Sequence, residues 1–505
     1  MRSLSQVVAL CLALFATVAV AVHTVEVQAQ DFVDTVTKQR LMIVGVDYQP
    51  GGQAGYKPTE NKDPLSNGTV CLRDAALLQR LGVNTIRVYN IDPSLNHDDC
   101  ASIFNAVGIY MILDVNSPLS GESINRDNPS SSYTSDYLTR IFGIVENFKG
   151  YPNTLAFFAA NEVMNDVSSA QKNPPYIRAV QRDLKQYIAK HASRTIPVGY
   201  SAADVREILQ DTWEYLQCEI DGKDDQSRSD FFGLNSYSWC GGDATFQSAG
   251  YNTLVDMFGN STVPVFFSEY GCNKVMPRVF DEVQALYGNQ MTSLSGGLVY
   301  EYSQEEEDFG LVTINSNSTV SLGVDYDNLQ SQYNKLNITL IQSTNATATQ
   351  LSPPACSSGL ITNSGFSTDF NVPAQPDGAS DLINNGIKNP TQGKLVDVSE
   401  TNVPMAVYGS SGVQIQNLAI RKLSNDDTNT PNGDSTSPSG TGSAAKPSST
   451  KGDANGSTPP PAPVALNPDT KGNAKQVSLW YPMLLLVVGL LFGFSDRVPA
   501  YLLSL

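Results

Sequence analysis

Two short apolar runs in this 505-residue chain each close on a glutamate. They are LAFFAANE at 155–162, ending on Asn161 and Glu162, and VPVFFSEYG at 263–271, which carries Glu269. Runs of this length and composition predict buried parallel strands. A carboxylate at the end of such a strand is costly unless it is partnered or used. Two of them, on separate strands, suit chemistry at a glycosidic bond. One protonates the leaving oxygen, and the other captures the developing oxocarbenium centre. A separation of about 5–5.5 Å gives retention through a covalent intermediate. On this reading Glu162 is the acid/base, Glu269 is the nucleophile, and Asn161 hydrogen-bonds the 2-hydroxyl of a bound sugar. The competing reading makes one glutamate only a salt-bridge partner, for example of Arg87.

Positioning two such groups requires a scaffold of many strands. Apolar strand patterns occur at 41–48, 85–90, 110–115, 155–162, 196–202, 231–237, 263–270 and 297–302. Helical runs lie between them, at 72–81, 135–148, 176–192 and 279–290. Eight alternations predict an α/β fold, a (β/α)8 TIM barrel, whose functional groups gather at the C-terminal ends of the strands. A doubly wound open sheet is the alternative, but no G-x-G-x-x-G follows the first strand.

The strand ends are polar in the way a carbohydrate cleft requires. The first predicted strand ends in Asp47-Tyr48-Gln49, the second carries Arg87 and Tyr89-Asn90, and the third ends in Asp114-Val115-Asn116. The sixth ends in Asn235-Ser236-Tyr237 and the eighth in Tyr300-Glu301-Tyr302. Carboxylates and amides bind hydroxyls, and aromatic faces bind sugar rings. Tyr89, Tyr237 and Tyr302 have a competing reading as core aromatics with satisfied hydroxyls. Asp47 is expected to pair with Arg87 inside the barrel. The acidic run Glu305-Glu306-Glu307-Asp308 reads as a solvated loop, with a place on the cleft rim open to it.

The totals narrow the class further. Net charge is −18, the isoelectric point is about 4.6 and mean hydropathy is −0.19. No basic stripe occurs, which argues against a nucleic-acid partner. Residues 1–21 read as a signal peptide, with Ala19-Val20-Ala21 as the cleavage site and a second candidate cut after Ala29. Residues 425–475 are rich in Ser, Pro and Gly and read as a disordered stalk. The apolar stretch 479–494, within a tail of 476–505, reads as a GPI-anchor signal, with a retained transmembrane helix as the alternative. Six cysteines remain after Cys11 leaves with the signal: Cys71, Cys100, Cys218, Cys240, Cys272 and Cys356. An even count on a secretory route implies disulfides, with fifteen connectivities open. With no C-x-x-C and three histidines, no metal site and no cofactor are expected. Sequons at Asn67, Asn260, Asn317, Asn337, Asn345 and Asn455 mark exposed segments. The catalytic domain is expected over 31–356, followed by a small β-rich extension at 357–424.

Several ungapped motifs together carry a resemblance. GVDYQP at 45–50, IRVY at 86–89, ANEV at 160–163, GLNSYSWC at 233–240, FSEYGC at 267–272 and GGLVYEYS at 296–303 resemble the GPI-anchored β-1,3-glucanosyltransferases of fungal cell walls, glycoside hydrolase family 72. The likeness runs from about residue 41 to Cys356. It implies a retaining enzyme that cuts β-1,3-glucan internally and passes the new reducing end to another glucan's non-reducing end. Glu162 and Glu269 match the family's acid/base and nucleophile. Gln49, Tyr89, Asn161 and Tyr237 match donor-subsite residues, joined by Tyr300 or Tyr302, and Asp114 matches a residue near the acceptor. The resemblance further implies the disulfides Cys71–Cys100, Cys240–Cys272 and Cys218–Cys356. It implies donor and acceptor β-1,3-glucan as partners, a GPI-anchored place at the outer face of the plasma membrane and in the wall, and a monomer. The family's cysteine-rich carbohydrate-binding module is not expected, since no cysteine follows Cys356. Two other readings share the fold: a retaining β-glucan hydrolase, and a non-catalytic wall-anchored adhesion or structural protein.

Overall fold

The computed structural model describes residues 22–220, 222, 225–343, 351–424 and 427–432. An antiparallel hairpin of β1 (Val25–Gln28) and β2 (Asp31–Asp34) comes first. Eight parallel strands then close into a barrel: β3 (Ile43–Asp47), β4 (Thr85–Val88), β5 (Tyr110–Asp114), β6 (Thr154–Asn161), β7 (Val198–Ala203), β8 (Phe232–Asn235), β9 (Val265–Tyr270) and β10 (Gly296–Val299). They pair in sequence order, and β10 closes the ring on β3. Each falls on one of the eight expected runs, with ends displaced by a few residues.

The apolar character of these strands has a packing cause. Helices cover their outer faces, and their own side chains fill the interior, so both faces are dry. The lower interior is a cluster of Ile43, Ile112, Phe158, Phe231, Phe266 and Leu298. The hairpin plugs the floor beneath it: Phe32 is fully buried, with ring centroids 6.0 Å from Phe231 and 5.9 Å from Phe266. Ala29 lies in the hairpin turn at φ 53°. Cleavage there would remove β1, so the fold disfavours the second candidate cut. The hairpin begins before the expected domain start at 31 and packs against the barrel floor. The cut at 19–21 lies outside the described residues.

The three longest helices follow the expected runs: Gly68–Leu81, Ser135–Phe148 and Pro174–His191. Asn67 caps the first by accepting from the Thr69 and Val70 amides, and Gly82 ends it at φ 88°, which glycine adopts without strain. The expected helix at 279–290 is shorter, reduced to Glu282–Leu286 and a 3-10 turn at Asn289–Met291. Helices Asp98–Ala106, Leu209–Gln217 and Tyr251–Phe258 carry too few turns for periodicity to reveal them.

All three implied disulfides are formed. Cys71–Cys100 joins two outer helices, Cys240–Cys272 ties the loops after β8 and β9, and Cys218–Cys356 fastens the chain after the barrel. Residues 357–424 then run over the helical exterior. Leu423 donates its amide to the Ala106 carbonyl at 2.8 Å, and His191 Nε2 lies 2.9 Å from the Ile383 carbonyl. Strand content in this stretch is limited to β13 (Val407–Tyr408), which extends the small sheet of β11 (Val312–Ile314) and β12 (Val320–Leu322). Asn67, Asn260, Asn317 and Asn337 are exposed. Asn67 and Asn337 cap helices through Oδ1, which leaves Nδ2 for a glycan. Asn345, Asn455 and the 476–505 tail lie outside the described residues, as does most of the stalk. Among the described residues no helix is long and apolar enough to cross a membrane.

Candidate active site

At the C-terminal mouth of the barrel, Glu269 from β9 is held by three donors. Tyr237 donates its hydroxyl to Oε2 at 2.6 Å, Tyr89 donates to Oε1 at 2.9 Å, and Arg87 Nη1 reaches Oε1 at 3.3 Å. Burial pushes this carboxyl up to about 7, against the pull of Arg87 and the two phenols, and the nearby Glu162 charge adds to the rise. Those donors all favour the ionised form, so the site pays for a buried carboxylate with directed hydrogen bonds.

Arg87 is the hub beneath. Its guanidinium pairs with Asp114, Nε to Oδ1 at 3.0 Å and Nη2 to Oδ2 at 2.9 Å. It is sandwiched between the rings of Tyr89 and Phe158, at 4.3 and 4.5 Å from their centroids. It also donates to Asn161 Oδ1 at 2.9 Å. The expected Asp47–Arg87 hydrogen-bonded pair is not formed: Asp114, one strand further on, takes the two-pronged contact, since its carboxylate meets the fork of the guanidinium edge-on.

Glu162 stands at the end of β6, at φ 47°, a left-handed conformation that side-chain-bearing residues rarely adopt outside constrained sites. Its amide donates to the Ser201 carbonyl at 2.9 Å, and Arg126 donates to its carbonyl at 3.1 Å. The carboxylate accepts from Asn235 Nδ2 at 2.9 Å. The same nitrogen reaches Asn161 Oδ1 at 3.1 Å. Asn235 is oriented by its other end, where Oδ1 accepts from the Ser201 and Ser268 hydroxyls at 3.0 and 2.8 Å. Gly233 makes room for this, since a Cβ there would lie 2.6 Å from the Ser268 hydroxyl. With its oxygen doubly engaged, Asn161 has only its Nδ2 group left to offer a ligand.

An aromatic wall stands over these groups. Tyr300 packs edge-on against Tyr89 and Tyr237, at 6.4 and 6.3 Å, and Phe309 lies 5.3 Å from Tyr300 and 5.4 Å from Tyr237. All four are partly exposed. Such a wall offers stacking faces to sugar rings. The Cys240–Cys272 bond fixes the loops that carry Tyr237 and follow Glu269.

The structure therefore brings together Glu162, Glu269, Asn161, Tyr89, Tyr237, Tyr300 and Asp114. Gln49 is buried beside them, with Oε1 accepting from the Asn90 amide at 3.3 Å and Nε2 donating to the Gly52 carbonyl at 3.4 Å. Tyr302 is elsewhere. It is 1% exposed, and its hydroxyl donates to Asp74 Oδ1 at 2.5 Å, in the layer between the barrel and helix Gly68–Leu81. Strand β10 ends at Val299, so strand alternation no longer governs residues 300–302, and Tyr300 alone faces the cleft. Asn235 and Phe309 are functional candidates beyond the residues assigned roles above. Asn235 was visible as a polar strand end. Phe309 had no signal, because a loop folds it back onto the wall.

The chain is similar to known proteins along most of its length. The profile of glycoside hydrolase family 72, described as glucanosyltransferase, matches residues 14–337. The 1,3-beta-glucanosyltransferase gel2 of Aspergillus fumigatus is 55% identical over 417 residues, 82% of this chain and 86% of that one. The probable 1,3-beta-glucanosyltransferase GAS3 of Saccharomyces cerevisiae is 48% identical over 367 residues, covering 70% of each chain. A solved structure of Saccharomyces cerevisiae Gas2p, a mutant in complex with laminaritetraose and laminaripentaose, has a TM-score of 0.61 and 35% identity, and the match covers 70% of this chain and 75% of that one. With its barrel, its paired glutamates and its disulfides, the chain belongs to the glucanosyltransferases of glycoside hydrolase family 72.

Proposed function

We infer that this chain is a retaining β-1,3-glucanosyltransferase that lengthens cell-wall glucan. The observation that carries the reading is one hydrogen-bonded network at the barrel mouth that holds both glutamates: Glu269 by two phenols and Arg87, and Glu162 by the Asn235 amide, with Arg87 and Asn235 meeting at Asn161. In the first step Glu162 gives its proton to the glycosidic oxygen while Glu269 attacks the anomeric carbon. The C–O bond to the leaving chain breaks as the ester bond forms. In the second step Glu162, now a carboxylate, takes the proton of an acceptor hydroxyl as that oxygen displaces Glu269. Asn161 Nδ2 is placed to bind the 2-hydroxyl, and the tyrosine wall to hold the donor rings. Asp114, buried against Arg87, acts through that arginine. The donor and acceptor are β-1,3-glucan chains, as the relatives' names and the laminarin oligosaccharides bound to Gas2p suggest for this chain.

We further read residues 1–21 as a signal peptide and 476–505 as a GPI-anchor signal, which sets a monomeric enzyme at the outer face of the plasma membrane and in the wall. The test of the reaction is incubation with a reduced β-1,3-oligosaccharide followed by sizing of the products. Transfer yields products longer than the substrate together with shorter ones. Shorter products alone would make the protein a hydrolase. Glu162→Gln and Glu269→Gln should each abolish both kinds of product while leaving the fold intact.

A further inference from the structure

Glu162 is held in an unusual backbone conformation from both sides. Its φ of 47° lies in the left-handed region, which a side-chain-bearing residue keeps only where its surroundings over-determine it. One anchor is its amide, which donates to the Ser201 carbonyl on β7 at 2.9 Å. The other is its carbonyl, which accepts from Arg126 Nη2 at 3.1 Å. Both backbone torsions of Glu162 lie between these two anchors. Together they fix the direction of its Cα–Cβ bond, and so where the carboxyl points. Among the described residues no other donor meets that carbonyl. Arg126 is itself set in place. It belongs to the loop between β5 and helix Ser135–Phe148, with Ile124 and Pro129 buried on either side of it. Its own carbonyl accepts from Asn173 Nδ2 at 2.8 Å, and the fully buried Asn173 also donates to the Ser169 carbonyl at 2.8 Å. Asp166, further along the segment that follows Glu162, is turned to the N-terminus of its own helix, where Oδ1 accepts from the Ser169 amide and hydroxyl at 2.6 and 2.7 Å.

We propose that Arg126 is a positioning residue for the acid/base: by holding the Glu162 carbonyl it keeps the residue in its left-handed conformation and aims the carboxyl at the glycosidic oxygen. The inference rests on the reading of Glu162 as acid/base. Without the arginine the carbonyl is free to turn and relieve the strain, and the side chain turns with it. Asn235 holds one oxygen at the far end of that side chain but does not replace an anchor on the main chain. A displacement of about 1 Å at a reacting group is enough to cost about 100-fold in rate.

The test compares two reactions of the mature enzyme. A β-1,3-oligosaccharide needs Glu162 in both steps, as acid toward the leaving chain and as base toward the acceptor hydroxyl. A β-1,3-glucanosyl fluoride with azide as acceptor needs it in neither. Glu269 displaces fluoride, whose departure requires no proton. Azide, already an anion, then displaces Glu269 and forms the β-glucanosyl azide. Arg126→Met keeps the aliphatic stem and removes the donors. It should lower kcat on the oligosaccharide by about 10- to 100-fold, part of the about 10²–10⁴ that general acid–base catalysis supplies. Its rate on the fluoride with azide should stay within about threefold of wild type. A fall of both by the same factor would mean that the site as a whole is damaged, and a fall of neither would mean that the arginine does not aim Glu162; either result overturns the proposal. Should Arg126→Met not fold, Arg126→Gln, too short to span the same gap, is read in the same way. Failure of both to fold would make the arginine a residue of the fold and overturn the proposal as well. Glu162→Ala in the same pair of assays separates the two layers. If it loses the fluoride–azide reaction too, or keeps the oligosaccharide reaction, the acid/base assignment is what fails. If Glu162→Ala is selective and Arg126→Met is not, the assignment stands and the Arg126 proposal alone falls.

Discussion

Asn235 Nδ2 donates to the Glu162 carboxylate at 2.9 Å, and the rest of the Asn235 side chain is locked so that it has no other orientation to offer. The Ser201 and Ser268 hydroxyls both donate to its Oδ1, which forces the nitrogen toward the carboxylate. The amide thereby holds the Glu162 carboxylate in place for the second half of the reaction, when it accepts a proton from the acceptor.

Asn235→Ala should therefore lower kcat/KM by about 10- to 100-fold, the value of one hydrogen bond to a charged group at about 1.5–3 kcal/mol. Asn235→Asp should be worse, because it puts a second carboxylate beside Glu162. Steady-state kinetics on a β-1,3-oligosaccharide decides it. An Asn235→Ala enzyme within threefold of wild type would mean that the amide only fills space.

The sequence carried the barrel because parallel strands buried on both faces are nearly continuous apolar runs, and the polar residues interrupting them mark the functional end. Glu162 and Glu269 stood out for that reason. Arg87 is different. Its type and place were legible, but its choice of Asp114 over Asp47 is a matter of side-chain geometry across three strands, which one-dimensional order does not encode. Tyr300 and Tyr302 share parity only if the strand continues, and it stops at Val299. Phe309 reaches the wall through a loop, where no periodicity exists to read. The strap at 357–424 has little regular structure of its own, so its course over the barrel helices is set by tertiary hydrogen bonds that no local pattern announces.

The two tyrosines after β10 should separate cleanly. Tyr300→Ala removes part of the aromatic wall and should raise KM for the donor with a smaller effect on melting temperature. Tyr302→Phe leaves Asp74 with one phenol fewer in a buried layer, next to Arg73 and Tyr48. It should cost about 1–2 kcal/mol of stability with kcat/KM nearly unchanged. Thermal melts beside donor kinetics would expose the reverse pattern.

The ionisation of Glu269 should respond to its neighbours with opposite signs. The Tyr237 hydroxyl holds the carboxyl down, and the Glu162 charge holds it up. With a glucanosyl fluoride donor, Tyr237→Phe should therefore move the acid limb of kcat/KM to higher pH, and Glu162→Gln should move it lower. Each shift should be about 0.5–1 unit, one hydrogen bond or one screened charge. Shifts of the same sign in both variants would mean that the limb belongs to another group.

Stability should fall from pH 5 to pH 8, opposite to a protein whose buried acids are all ion-paired. Burial pushes several buried carboxyls up: Glu269 to about 7, Glu282 to about 8 and Glu301 to about 8, with Asp47 and Asp114 raised as well. In the unfolded chain each glutamate titrates at its ordinary 4.5. The folded state thus binds more protons between these limits, and the stability it gains is whole below pH 4.5 and lost as pH climbs through 7 and 8. Groups of the other kind work at lower pH. Burial acts to raise Glu146, but bonds from Lys149, Gln392 and Tyr187 outweigh it and hold the carboxyl below its ordinary range, so its contribution is lost only as the solution becomes strongly acid. The maximum should then lie near pH 5. Melting temperatures at pH 5, 6.5 and 8 should decline in that order, and Glu282→Gln, which stays neutral throughout, should flatten the decline without touching the active site. A melting temperature that held steady or rose from pH 5 to pH 8 would show that these carboxyls enter the folded state already ionised, with partners strong enough to offset their burial.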